Sequence, residues 1–354
     1  MRKLFIVVLI IAGTISTAEI IRDSLFFFSP NSTDSSLKII LVEPGHFTKT
    51  AEMLFKEGLI KDPRRFVLIS KLLRLSSSVK VGEYEVRMDM SPFQMLRVLT
   101  SGKSVLHAVH IPEGYNIDQI ADDLAEKKLV VREEFVKLSR DPHMAHLLGI
   151  SEKTLEGYLY PETYSFTHFT GDRVILKTMV DKFKEVYNRE IKFGADKQNM
   201  SLHDVVTLAS IVEKETGAPE ERPVISSVFH NRLRLGMKLQ SDPTVIYGKV
   251  GDKKNITRKD LVTSTPYNTY TLKGLPTGPI CNPGKEALLA AIEPVESKYL
   301  YFVSMNNGNH VFSKTYVEHQ KAVLKYQVDP RARQGKSWRD RLKKKANGSS
   351  EFKQ

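Results

Sequence analysis

The chain has 354 residues, 27% of them charged, and a formal net charge of +12. That length exceeds one average domain, so two or three domains with a sizeable buried core are expected. The single cysteine excludes an internal disulfide framework and argues against a cysteine-based metal site, while the basic balance suits nucleic acid, anionic lipid or an acidic polymer.

Of these three, nucleic acid is the weakest, because the chain has neither zinc-finger spacing nor an RNA-recognition signature. No nucleic-acid partner is expected. At the N-terminus Arg2 and Lys3 precede an apolar stretch from Leu4 to Ile21, close to the ~20 residues that span a bilayer. Positive residues before such a stretch predict a cytoplasmic N-terminus and an exported remainder. A cleaved signal peptide competes with this reading, but Ser16-Thr17-Ala18 is a poor cleavage site, so a transmembrane anchor over residues 1–22 is preferred. Residues 23–36, with Phe26-Phe27-Phe28 followed by a Ser/Asn-rich run, read as a linker.

Leu37–Val42 has a strand pattern. Pro44-Gly45 turns the chain, and Thr48 is expected to cap a helix running to Gly58. Pro63 opens a second helix, Val81–Val86 alternates like a strand, and Ser91-Pro92 starts a helix ending near Gly102. The stretch Val42–Ile60 then repeats, with one gap, as Ile111–Val130: strand, Pro/Gly turn, helix, apolar pair, second helix. Two copies are too few for a solenoid and suit a pair of small β-α-α modules, over 37–105 and 106–150. Binding elements and a duplicated scaffold both remain open.

Leu155–Phe166 sets Tyr158, Tyr160, Tyr164 and Phe166 around Glu156 and Glu162. Aromatic faces and carboxylates of this kind suit sugar rings and their hydroxyls, which makes Tyr160 and Glu162 candidate contacts. Simple packing is the alternative. A helix from about Asp172 to Tyr187 follows.

Ser201–Gly248 is the densest polar run within an apolar pattern. Ser201 and Asp204 have capping spacing, and Leu208, Ile211, Val212 and Glu215 share one helical face. Glu213, two residues earlier, falls roughly 200° away around the helix and should point elsewhere. Gly217 and Pro219 should end the helix. Beyond it lie Pro/Gly-rich loops, where Cys281 reads as a small loop or core residue. A helix over Glu286–Ile292, a buried strand at Tyr299–Ser304 pairing with His310–Ser313, a final helix carrying His319, and a disordered basic tail over 331–354 complete the chain. Residues 151–330 form the last folded body.

The ten histidines are scattered, with no H-E-x-x-H and no close His/Cys/Asp cluster. A G-x-S-x-G elbow, a P-loop and a dinucleotide fingerprint are absent. No metal and no cofactor are expected. Glu215 stands out as a carboxylate on an apolar face, where desolvation raises the pKa and leaves a proton donor near neutrality. A buried ion pair with Arg222 or Arg232 is the competing explanation.

Ala209-Ser-Ile-Val-Glu-Lys-Glu-Thr216, Phe229-His-Asn-Arg-Leu233, Leu239–Gly248 and Tyr267-Asn-Thr-Tyr270, with Leu155–Tyr164 and Gly274–Ile280, resemble the endolytic murein transglycosylases, the YceG-like family. The resemblance spans nearly all of the chain after the anchor. It implies an α+β protein: a single-pass inner-membrane anchor, a LysM-like module, and a lytic-transglycosylase-like catalytic domain outside the cytoplasm. It implies cleavage of MurNAc-GlcNAc bonds in glycan strands to 1,6-anhydro ends, with Glu215 of the E-K-E-T motif as single acid/base. Asp242, Tyr247, Tyr267 and Asn268 are then candidates to orient sugar or stabilise oxocarbenium charge, although Asp242 could simply cap a helix and Asn268 hold a turn. Peptidoglycan, the inner membrane and the cell-wall synthesis machinery are the implied partners.

Overall fold

The computed structural model describes residue 17 and residues 19–247 and 256–329. Most of the anchor expected over 1–22, and all of the tail expected over 331–354, lie outside the described residues. Among those described, no helix is long and apolar enough to cross a membrane. The fold is α+β, and the described residues form many helices and three two-stranded sheets. The chain divides into two compact units, Met1–Ala108 with Ser165–Gly171, and Val109–Tyr164 with Asp172–Gln354.

In the first unit, β1 (Leu37–Val42) pairs antiparallel with β2 (Gly82–Arg87), in register from Leu37 opposite Arg87 to Val42 opposite Gly82. Alternation turns Ile40, Val42, Tyr84 and Val86 inward. They meet the apolar faces of α1 (Phe47–Lys56), α2 (Pro63–Leu72) and α3 (Pro92–Ser101), which supply Leu54, Phe66, Leu96 and Leu99. Asp62 caps α2 through the Arg65 N–H at 3.0 Å, and Ser91 with Gln94 forms a reciprocal box at the start of α3. The expected cap at Thr48 is corrected: α1 begins at Phe47, after an extended His46 that makes no side-chain capping bond. Residues 19–28 are helical, so the start of the segment read as linker (23–36) is structured, and Phe27 is buried beside Phe66 and Phe93, with ring centroids 6.1 and 5.8 Å away.

β3 (His107–His110) and β4 (Thr163–Phe166) pair with each other. The second unit opens with α4 (Ile117–Glu126), α5 (Arg132–Ser139) and α6 (Pro142–Leu147). As in the first copy of the repeat, a strand, a turn and two helices succeed one another, and the Asn116/Gln119 box starts α4. After α7 (Asp172–Val186), a π turn at Tyr187–Ile191 joins α8 (Lys192–Lys197).

α9 (Leu202–Glu215) is the centre of this unit. Ser201 Oγ accepts from the Asp204 N–H at 3.1 Å, as the spacing predicts. All eight residues from Val205 to Val212 are buried, Thr207 and Ser210 included, so the helix is enclosed on every side rather than along one stripe. It packs against α10 (Arg222–Arg234) and, after the short helices α11 (Asp242–Tyr247) and α12 (Arg258–Val262), against α13 (Lys285–Ile292). β5 (Tyr301–Ser304) and β6 (His310–Ser313) form a hairpin, followed by α14 (Tyr316–Val323). β5 is half-buried along its whole length, not buried as expected: Phe302 packs edge-on against Phe229 while Tyr301 stacks on His319, so each face is only partly covered.

Candidate active site

α9 ends at Glu215, where Thr216 turns extended. The Glu215 carboxyl accepts a hydrogen bond from Ser241 Oγ at 2.5 Å. Burial is the main influence on it and pushes its pKa up to about 7; the charge of Asp242 acts in the same direction, and the Ser241 hydroxyl and Arg232 oppose. No cation lies in ion-pair contact with it among the described residues.

The two arginines that could have neutralised Glu215 are engaged elsewhere. Arg222 pairs with Glu213 at 2.8 Å and reaches Glu113 at 3.4 Å. Glu213 also accepts from the Gly284 N–H at 3.1 Å. Arg232 gives its fork to main-chain carbonyls: Nε to Leu300 at 2.7 Å, Nη1 to Leu239 at 2.8 Å and to Lys238 at 3.2 Å. Those contacts fix the loop that delivers Ser241. Its backbone is further held by Thr269, whose Oγ1 accepts from the Ser241 N–H at 2.9 Å and whose carbonyl accepts from the Gln240 N–H at 3.2 Å. Gln240 itself sits at φ +53°, a conformation a non-glycine residue adopts only when its surroundings impose it.

A cleft of about 940 Å³ opens at the end of α9, lined by Glu113, Glu213, Glu215, Gly217, Asn309 and His310 among others. Both glutamates of the E-K-E-T motif reach it, so the expectation that Glu213 points elsewhere is corrected. What separates the two is partnership: Glu213 is ion-paired and Glu215 is not. The candidates Asp242, Tyr247, Tyr267 and Asn268 are not among the lining residues; the lining comes largely from the turn after α9 and from the β5–β6 hairpin.

The candidate residues sort into separate groups. Asp242 is beside Glu215 and accepts from the Tyr270 hydroxyl at 2.6 Å. Tyr247, at the far end of α11, donates to Glu156 at 2.9 Å and meets Tyr267 edge-on, with ring centroids 4.8 Å apart. Asn268 is buried, and its Nδ2 serves the carbonyls of Asp260, Leu261 and Thr263, so it holds a loop. Tyr160 is buried, its carbonyl accepting from the Tyr164 hydroxyl at 2.7 Å. Glu162 is exposed and bonds the adjacent Thr163 N–H at 3.1 Å. Neither Tyr160 nor Glu162 lines the cleft at Glu215. Cys281 is a buried core thiol.

Sequence reasoning passed over Ser241 and Tyr270 as individual contacts and took Glu156 only as one carboxylate among the Leu155–Phe166 aromatics. Ser241 lay within the quoted motif, one residue before Asp242, and only its hydroxyl's spatial partner marks it. Glu156 is buried with a pKa raised by burial to about 7, and it holds the Ile117 N–H, Asn282 Nδ2 at 3.1 Å and the Tyr247 hydroxyl. The backbone beside it is equally constrained. Gly157 has φ +89°, and a Cβ there would stand 2.5 Å from Pro279 and 2.8 Å from Val206. Gly157→Ala should therefore cost about 2–4 kcal/mol from left-handed strain and overpacking together, read as a lowered thermal midpoint of the purified chain.

A family described as the YceG-like family matches residues 40–325. A Bacillus subtilis protein named endolytic murein transglycosylase is 35% identical over 78% of this chain and 81% of its own length. A protein of the same name from Streptococcus pneumoniae strain R6 is 29% identical over 90% of this chain, which spans 63% of that relative. Among solved structures, a yceG-like protein from Listeria monocytogenes superposes with a TM-score of 0.57 at 34% identity, covering 81% of this chain and 99% of that one. With the match running from β1 through α14 and including the whole glutamate-bearing helix, the chain belongs to the YceG-like family.

Proposed function

We propose that the chain is an endolytic peptidoglycan transglycosylase that cuts MurNAc-GlcNAc bonds within glycan strands and leaves 1,6-anhydro ends. The observation that carries this reading is Glu215: a desolvated carboxyl, held by one hydroxyl, unpaired with any described cation and open to a cleft. Protonated Glu215 donates to the glycosidic oxygen as the bond from C1 breaks, and the GlcNAc hydroxyl leaves. Positive charge develops on C1 and the ring oxygen, and the Glu215 carboxylate together with Asp242 offsets it. Glu215 then takes the proton of the muramoyl C6 hydroxyl as O6 bonds to C1. The acid is regenerated and no water is consumed, so a second carboxylate to hold water is not required.

In this reading Ser241 orients Glu215, Tyr270 orients Asp242, and Tyr247, Tyr267 and Asn268 shape the body behind them. The names of the two curated relatives support the substrate. The β-α-α-β order of the first unit supports a LysM-like glycan-binding role. The apolar stretch after Arg2 and Lys3 supports an anchored, extracytoplasmic enzyme that meets nascent strands beside the synthesis machinery at the membrane surface.

Mass spectrometry of muropeptides released from purified sacculi tests the reaction, because the anhydro product is one water lighter than a hydrolysed one. Reducing ends alone would establish a water-using muramidase instead. The pH profile tests the acid. With Glu215 active in its protonated form and a pKa of about 7, release should stay level below that value and fall about tenfold per pH unit above it. A decline already complete by pH 6 would show a carboxyl with an ordinary pKa at work.

A further inference from the structure

The sequence shows no close cluster of metal-ligating side chains, yet the fold of the first unit assembles one. Glu83 on β2, His107 at the start of β3 and His168 in the returning segment 165–171 bring a carboxylate oxygen and two imidazole nitrogens within 4.8 Å of one another. His107 Nε2 lies 2.5 Å from Glu83 Oε2, and His168 Nδ1 lies 2.9 Å from Glu83 Oε1. The two imidazole rings stack at 4.0 Å with 26° between their planes. These residues are 24 and 85 positions from Glu83, so no local element explains their meeting.

We propose that Glu83, His107 and His168 form a binding site for a divalent first-row transition cation such as Zn²⁺. Two imidazoles and one carboxylate are a known donor set for zinc, one that leaves a fourth position for water. In the bonds seen here each ring presents its N–H to the carboxylate. Binding moves that proton to the ring's other nitrogen, so two neutral histidines ligate with no net proton change.

The frame around the cluster is rigid. Ser104 Oγ accepts from the Glu83 N–H at 2.9 Å and donates to the Glu83 carbonyl at 3.0 Å. The Val105 N–H reaches the same carbonyl at 2.7 Å. Gly82 is required for this approach, since a Cβ there would stand 2.8 Å from Ser104 Oγ. The side chains keep 15% exposure at Glu83, 30% at His107 and 25% at His168, enough for an ion to enter from solvent. A bound cation would tie the 165–171 segment to β2 and the start of β3.

The test uses the untagged full chain, stripped with chelator and titrated calorimetrically with ZnCl₂. One zinc per chain is expected, with affinity lowered about a hundredfold or more in His107→Gln and in His168→Gln, and a raised thermal midpoint in the wild type alone. Unchanged zinc affinity in the double variant, or no zinc binding by the wild type, overturns the proposal. X-ray absorption on the zinc-loaded wild type does not depend on any variant folding. Two imidazole ligands and oxygen donors support the site; any other imidazole count overturns it.

Discussion

Glu215→Gln should lower glycan cleavage by about a hundred- to ten-thousandfold, the span expected when a positioned general acid is lost. Glutamine keeps the shape and can still accept from Ser241, so the packing at the end of α9 is retained. The predicted loss is therefore one of rate, seen in anhydro-muropeptide release at saturating sacculus concentration, with the thermal midpoint preserved near pH 5. The pH dependence of stability has a definite sign. The folded pKa of Glu215, about 7, lies above its ordinary value of 4.5, so its contribution is fully present below the ordinary value and is lost as pH rises through 7. At pH 8 the glutamine variant should accordingly melt higher than the wild type. A variant that still released anhydro ends at wild-type rate would remove Glu215 from the chemistry and favour a glycan-binding scaffold. Glu213→Gln provides the contrast: it leaves the buried Arg222 guanidinium without its 2.8 Å partner, so it should reduce stability more than rate.

How far the sequence could be read depends on the range of the forces involved. Ser91 and Ser201 announce helix starts because a cap is satisfied within three residues. The strand at Leu37–Val42 and the β5–β6 hairpin follow from local alternation and turn chemistry. Helical spacing put Glu213 on another face from Glu215, yet both reach the cleft, and spacing could not decide which arginine goes to which carboxylate. That choice is made by the packing of α9 on α10, which hands Arg222 to Glu213. Tyr160 shows the opposite failure. A tyrosine amid carboxylates reads as a sugar contact, while burial makes it a packing residue. The partners of Ser241 and Glu156 and the Glu83–His107–His168 cluster were hidden for one reason: each contact joins residues 24 or more positions apart.

Arg232→Met should be the most damaging change outside the acid itself. It deletes the donors that satisfy the carbonyls of Leu300, Leu239 and Lys238, and each stranded buried acceptor costs about 1–3 kcal/mol. A total near 3–5 kcal/mol would lower the melting temperature by about 10 °C in a unit of this size. Stability alone would not show that the Arg232 charge acts on Glu215, but the pH profile would. The Arg232 charge holds the Glu215 pKa down against the effect of burial, so its removal raises that pKa and carries the alkaline fall of activity to higher pH. Arg232→Lys keeps the charge but cannot reproduce the planar fork. It should share much of the instability while leaving the alkaline limb in place. If both variants lost stability and neither moved the limb, Arg232 would be a structural clamp with no electrostatic hold on the acid.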